Sequence, residues 1–94
     1  MTKSKCLEIR VSFEGERESF KNKIVETAKK CNLEGILEVK SKNELLISVC
    51  GTTHEIEKFI DFFYEEHTNL SAVIIEIEPF IKEKDYRGVF RVIE

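Results

Sequence analysis

Apolar and polar positions alternate near the start of the chain and then change to a helical spacing. The period-two positions, typical of a half-buried strand, are Leu7, Ile9, Val11 and Phe13. The positions at helical spacing that follow are Phe20, Ile24, Ala28 and Cys31. Ser19 is placed to cap this predicted helix, and Asn32 is suited to end it because Asn tolerates the left-handed backbone conformation. This part of the chain therefore predicts a strand followed by a helix.

The next segment predicts a β-hairpin. Residues 36–41 and 44–50 are two runs with strand character, and the residues Lys42-Asn43 between them suit a short turn. Gly51 is expected to break the second of these strands, because glycine weakens a strand interior.

A second helix and two further strands complete the predicted elements. Thr52 and Glu55 have the spacing of a capping box, in which each side chain accepts from the other residue's backbone N–H. The apolar stripe of the helix that follows consists of Ile56, Phe59, Ile60 and Phe63. Residues 70–78 predict a strand that Pro79 ends, because proline cannot donate a ladder hydrogen bond. Residues 88–93 predict a short last strand at a sheet edge.

The order β-α-β-β-α-β, with an extra short β, predicts an α+β protein of the ferredoxin-like class. Right-handed crossovers place two helices on one face of an antiparallel sheet, with the short C-terminal strand added. We expect residues 1–94 to form a single domain. The first and third strands should be central neighbours that run parallel. Cys6 and Cys50 would then lie at opposite ends of the sheet, too far apart for a disulfide.

Composition and charge limit the classes of function. Apolar residues make up 41% of the chain and charged residues 35%, which is typical of an ordered globular protein. No apolar run approaches the ~20 residues that a bilayer requires, and no signal sequence is evident. A formal charge of −3 without a basic patch argues against nucleic-acid binding. We therefore expect a cytoplasmic monomer with no membrane and no nucleic-acid partner.

The cysteines and histidines give no strong indication of a metal site. The three cysteines lack metal-type spacing, so we expect reduced thiols that behave as small apolar residues, with a reactive thiol as the alternative. His54 and His67 are not spaced as a helical pair of metal ligands, and we expect both at the surface. Phe62 and Tyr64 exceed what one helical stripe can bury, so they either pack on loops or form an exposed patch for a partner.

The helix-free face of the predicted sheet is polar. The side chains expected to line it are Glu8, Arg10, Ser12, Lys40, Ser48 and Glu76. This face is either solvated or a flat docking surface. It lacks the stacked aromatic residues with which RNA-recognition modules of the same fold class bind bases.

Several segments resemble the acylphosphatase family. The segment A-K-K-C-N-L-E-G, residues 28–35, resembles the family's Ala-x-x-x-Gly-Leu-x-Gly. Gly51 and the pair Phe59-Ile60 stand where the family has a glycine and a Phe-aliphatic pair. Residues 86–92, Y-R-G-V-F-R-V, resemble its closing strand. The family uses no metal or other cofactor, so the resemblance implies none here.

The family's active loop, Gly-x-Val-Gln-Gly-Val-x-Phe-Arg, aligns without gaps with F-E-G-E-R-E-S-F-K, residues 13–21. In the family, backbone N–H groups and the Arg hold the phosphate, and an Asn on the next strand positions water. Lys21 takes the Arg position, and Val39 the Asn position. The candidate phosphate- or anion-binding residues are Gly15, Glu16, Arg17, Glu18, Ser19, Phe20 and Lys21. A second register, with a two-residue insertion before Phe20, aligns Gly15 with the family's central glycine.

These departures weaken the case for catalysis. Glu14, Glu16 and Glu18 crowd the place of an anion, and like charges about 4 Å apart repel by roughly 1 kcal/mol in water and about 4 kcal/mol at a protein surface. Val39 has no polar atom with which to orient water. We therefore predict a domain that has lost catalysis and binds a protein or a small anionic ligand. The alternative is a divergent acylphosphatase, hydrolysing acyl phosphates to carboxylate and phosphate, with Lys21 as its catalytic residue.

Overall fold

The predicted order of strands and helices is confirmed in the computed structural model, which describes residues 4–14, 17–67, 74–79 and 88–94. In chain order, the elements are β1 (Ser4–Ser12), α1 (Arg17–Lys30), β2 (Glu34–Ser41), β3 (Glu44–Thr52), α2 (Thr53–His67), β4 (Ile74–Pro79) and β5 (Phe90–Ile93). The first four residues of the predicted fourth strand, 70–73, lie outside the described residues.

The strands form one sheet in the order β4-β1-β3-β2-β5. Neighbouring strands are antiparallel, apart from β5, which runs parallel to β2 at the edge of the sheet, as expected for a short last strand. The expectation that β1 and β3 run parallel was wrong. The crossover through α1 makes β2 parallel to β1, and the hairpin then reverses the chain into β3. This arrangement matches the ferredoxin-like fold class.

The antiparallel register places Cys6 directly opposite Cys50. The two residues form a disulfide, with their Cα atoms 4.1 Å apart. The expectation that strand direction would separate them was therefore wrong, and so was the expectation of reduced thiols at these two positions. Cys31 is a free cysteine, half-buried at the end of α1.

The core lies between the two helices and one face of the sheet. It contains every apolar position of the alternating pattern in β1, together with the apolar stripe of α2 apart from the half-buried Ile60. The rings of Phe20 on α1 and Phe63 on α2 meet edge to face, with centroids 6.4 Å apart. Phe62 is partly buried against this core, whereas Tyr64 remains 64% exposed. The alternation in the sequence thus correctly predicted which face of the sheet is buried.

Local hydrogen bonds explain where the helices start and end. The capping box is formed: the Thr52 N–H donates to Glu55 Oε1 at 2.9 Å, and the Glu55 N–H donates to Thr52 Oγ1 at 3.2 Å. Gly51 does not break β3, which continues to Thr52. α1 begins at Arg17, so Ser19 lies inside its first turn and does not cap it. Asn32 ends α1 as predicted, in the left-handed region with φ of 57°.

A lysine held by two carboxylates at the candidate anion site

The loop between β1 and α1 is attached to the β2–β3 hairpin. The Phe13 N–H donates to the Asn43 carbonyl at 2.9 Å, so the end of β1, the hairpin turn and the start of α1 lie together. Gly15 and Glu16, two of the candidate anion-binding residues, lie outside the described residues. The structure describes the backbone of Arg17 as the first residue of α1 but not its side chain.

Lys21 is the one polar or charged residue that is buried among the described residues, with 7% of its surface exposed. Its Nζ donates to Glu94 Oε1 at 2.8 Å and to Glu18 Oε1 at 3.2 Å. Glu18 Oε2 lies 3.0 Å from the same nitrogen. A buried ammonium requires partners of this kind, because burial removes the water that would otherwise solvate it. Internal carboxylates thus engage the cation that the resemblance aligns with the family's Arg.

Val39 and Glu94 come at the same end of the β2–β5 pair. β2 and β5 are in parallel register, with Glu38 opposite Ile93, so the next residues along the two strands are Val39 and Glu94. Val39 is opposite Leu45 in the hairpin and packs against the hydrophobic core. Val39 and the carboxylate partner of Lys21 therefore belong to the same end of the sheet, and Val39 offers only hydrocarbon there.

The two carboxylates that contact Lys21 outnumber its single ammonium. One ammonium and the carboxylates of Glu18 and Glu94 sum to a formal charge of −1. The hydrogen bond that Lys21 donates to Glu94, and then the one that it donates to Glu18, raise the pKa of Lys21 above its ordinary value. Because this pKa is raised on folding, the pair stabilises the fold throughout the neutral range. Its contribution is lost only when alkaline pH rises through the raised pKa.

The other described candidates have different surroundings. Phe20 is a core residue, with its ring 5.2 Å from that of Phe13. Ser19 is exposed on the first turn of α1. Glu94, which reasoning from the sequence missed, is separated from Lys21 by 73 positions. No local pattern could identify it, since only the β2–β5 pairing brings it to the lysine.

The described residues do not indicate a metal site or a membrane span. They contain no group of three His, Cys, Asp or Glu side chains arranged to hold a metal ion. His54 is exposed, as expected, whereas the His67 side chain lies outside what the structure describes. In the described part of the chain, neither helix is long and apolar enough to cross a bilayer.

The order of the elements and the five-stranded sheet define an α+β sandwich of the ferredoxin-like class. The model of the acylphosphatase family matches residues 8–92, and the chain therefore belongs to the acylphosphatase family. No curated protein matches the chain.

Solved structures share the fold at low sequence identity. Full-length HypF in its phosphate- and nucleotide-bound form has a TM-score of 0.80 and 24% identity, covering 100% of this chain and 12% of that protein. The acylphosphatase from Coxiella burnetii has a TM-score of 0.78 and 20% identity, with 95% and 92% of the two chains covered. The acylphosphatase from Bacillus subtilis has a TM-score of 0.67 and 14% identity, covering 96% of this chain and 99% of that protein. At identities below 25%, these structural similarities establish a common fold and nothing more. The chain thus spans about an eighth of HypF and nearly all of the two acylphosphatases.

Cys31 is expected to react slowly with thiol reagents at neutral pH. Burial raises the pKa of its thiol, and only the thiolate is nucleophilic. Labelling with iodoacetamide at pH 7 should therefore be slower than labelling of a cysteine peptide, and should accelerate at a pH well above 8.5, roughly the ordinary thiol pKa. The same protein unfolded in urea provides the control. Equal rates for the native protein and the peptide would contradict this assignment.

Proposed function

We propose that this chain is an acylphosphatase-family domain that has lost the hydrolysis of acyl phosphates and acts as a binding module. Its ligand would be a protein partner or a small anionic molecule. The observation that carries the proposal is the engagement of Lys21 by the carboxylates of Glu18 and Glu94, both within 3.2 Å.

Electrostatics explains why this arrangement disfavours phosphate chemistry. Catalysis on an anionic substrate depends on donors and positive charge that are prearranged for the transition state. Here the lysine is already paired, and the local formal charge with its two partners is −1. Even a free lysine would bind phosphate as a point charge, without the bidentate geometry of Arg.

The surroundings of Val39 supply a second, independent reason. Hydrolysis requires an attacking water held in line, and positioning of this kind accounts for a large part of many rate enhancements. Val39 contributes only methyl groups, and it packs on the core beside Leu45. No polar side chain occupies that position on β2 to replace the amide.

A divergent acylphosphatase is the second candidate, and one observation favours it. Lys21 is buried, and its partner Glu94 follows the strand paired with β2, so the cation is held beside the strand from which the family supplies its water-positioning group. If the carboxylates leave during the reaction, Lys21 and nearby backbone N–H groups would bind the phosphate.

Hydrolysis of acetyl phosphate or benzoyl phosphate separates the two candidates. We expect the wild-type protein to give no turnover above buffer, and no more than Lys21→Ala, because its cation is neutralised internally. An active acylphosphatase serves as the positive control for the assay, and circular dichroism checks that the variant is folded. Turnover well above background that Lys21→Ala abolishes would overturn the proposal in favour of the enzyme.

The cellular setting and oligomeric state remain predictions. We propose a monomer in the cytoplasm, without membrane or nucleic-acid partners. The disulfide between Cys6 and Cys50 argues against the cytoplasmic part of this proposal, because such bonds persist mainly in oxidising compartments.

A further inference from the structure

The two sides of the Lys21–Glu94 ion pair differ in accessibility. The Lys21 side chain is 8% exposed, whereas that of Glu94 is 57% exposed. Glu94 directly follows β5, a four-residue strand at the sheet edge. The last two residues of this strand, Val92 and Ile93, are 38% and 50% exposed. The lysine is therefore fixed within the fold, and its carboxylate partner can move into water without disturbing the core.

We propose that Glu94 is an internal competitor that regulates access to Lys21. Its carboxylate occupies the ammonium, and a small oxyanion binds there by displacing it. This role rests on the binding function proposed for the site, and it concerns how anion binding there is regulated. The ligand class follows from the present occupant: a group that binds carboxylate oxygens at 2.8 Å also binds the oxygens of a free carboxylate or a phosphate.

Charge and geometry give Glu94 and Glu18 different roles. Glu18 lies three residues before Lys21 on the same helix, so the helix itself keeps this pair together. Glu94 reaches the lysine from the end of β5, so the helix by itself does not hold this second pair together. Removing the Glu94 charge changes the formal charge of Lys21 and its two carboxylate partners from −1 to 0, which favours an incoming anion.

The test compares anion binding by Glu94→Gln and wild type. Sodium phosphate and sodium acetate are titrated separately at pH 7 and constant ionic strength, while NMR follows the amide shifts of residues 17–21. We expect Glu94→Gln to bind phosphate about fivefold more tightly than wild type, the gain expected from removing an exposed competing ion pair. The acetate arm shows whether the site selects carboxylates or phosphates.

Two further variants control the result. Glu78→Gln removes the same charge from β4, at the opposite edge of the sheet, and should bind as wild type does. Adding Lys21→Met to Glu94→Gln keeps the apolar stem but removes the cation, so the gain should disappear. The proposal is overturned if Glu94→Gln gains nothing, if Glu78→Gln gains equally, or if the gain survives without Lys21.

The result is separable from that of the hydrolysis assay. Turnover by the wild-type protein would contradict the proposed loss of catalysis, whatever the anion affinities of these variants. If Glu94→Gln binds phosphate no more tightly than wild type, and no protein shows turnover, only the competitor role of Glu94 is contradicted.

Discussion

Reduction of the disulfide between Cys6 and Cys50 is expected to lower the free energy of unfolding by about 4 kcal/mol. The bridged residues are 44 positions apart, and a cross-link that closes a loop of this length restricts the unfolded chain strongly. It joins β1 and β3, which pair with each other over nine residue positions. Each of these two strands also has a second neighbour in the sheet. A loss of this size is a large part of the stability of a small domain, which is typically about 5–15 kcal/mol.

Urea denaturation with and without a reducing agent measures this effect. Cys31→Ser is used as the background, so that the reductant acts on one bridge only. A variant that also carries Cys6→Ala and Cys50→Ala should match the reduced protein and should not respond to the reductant. If reduction leaves the urea midpoint unchanged, the bridge does not stabilise the fold, and the expectation fails.

Gly35→Ala is expected to destabilise the protein by on the order of 4 kcal/mol, because a methyl group at this position meets backbone. Gly35 has a φ of +146°, in a region that side-chain-bearing residues rarely adopt. A Cβ built there overlaps the carbonyl of Ser48 on the neighbouring strand β3. Since that carbonyl belongs to the sheet, relief requires the two strands to separate.

Gly88→Ala is the matched control for this prediction. Gly88 also has positive φ, at +71°, but a Cβ built there meets no atom within 4 Å. Its substitution should cost only the conformational term, about 1–2 kcal/mol. Chemical denaturation of both variants gives the comparison. Equal losses would mean that the overlap with Ser48 is relieved at no cost, contrary to the close approach of the strands.

The fold was predictable from local patterns, and the site only in part. Alternation in β1 predicted its buried face, and the spacing of Thr52 and Glu55 predicted the cap of α2, because both patterns depend on residues close together in the chain. The resemblance in residues 13–21 drew attention to Lys21, and the glutamates near it were expected to crowd the place of an anion. Glu18 contacts Lys21 in the structure, and the sequence had not predicted this contact. The structure tests neither Gly15 nor Glu16.

The sequence by itself determined the order of elements, the buried face of the sheet and the identity of the cation at the loop, since each follows from spacing along the chain. Tertiary structure alone decided that Cys6 faces Cys50 and that Glu94 reaches Lys21. Both contacts depend on strand direction and register, which are set by how distant segments pair. Local patterns in the sequence cannot indicate contacts between residues that are 44 and 73 positions apart.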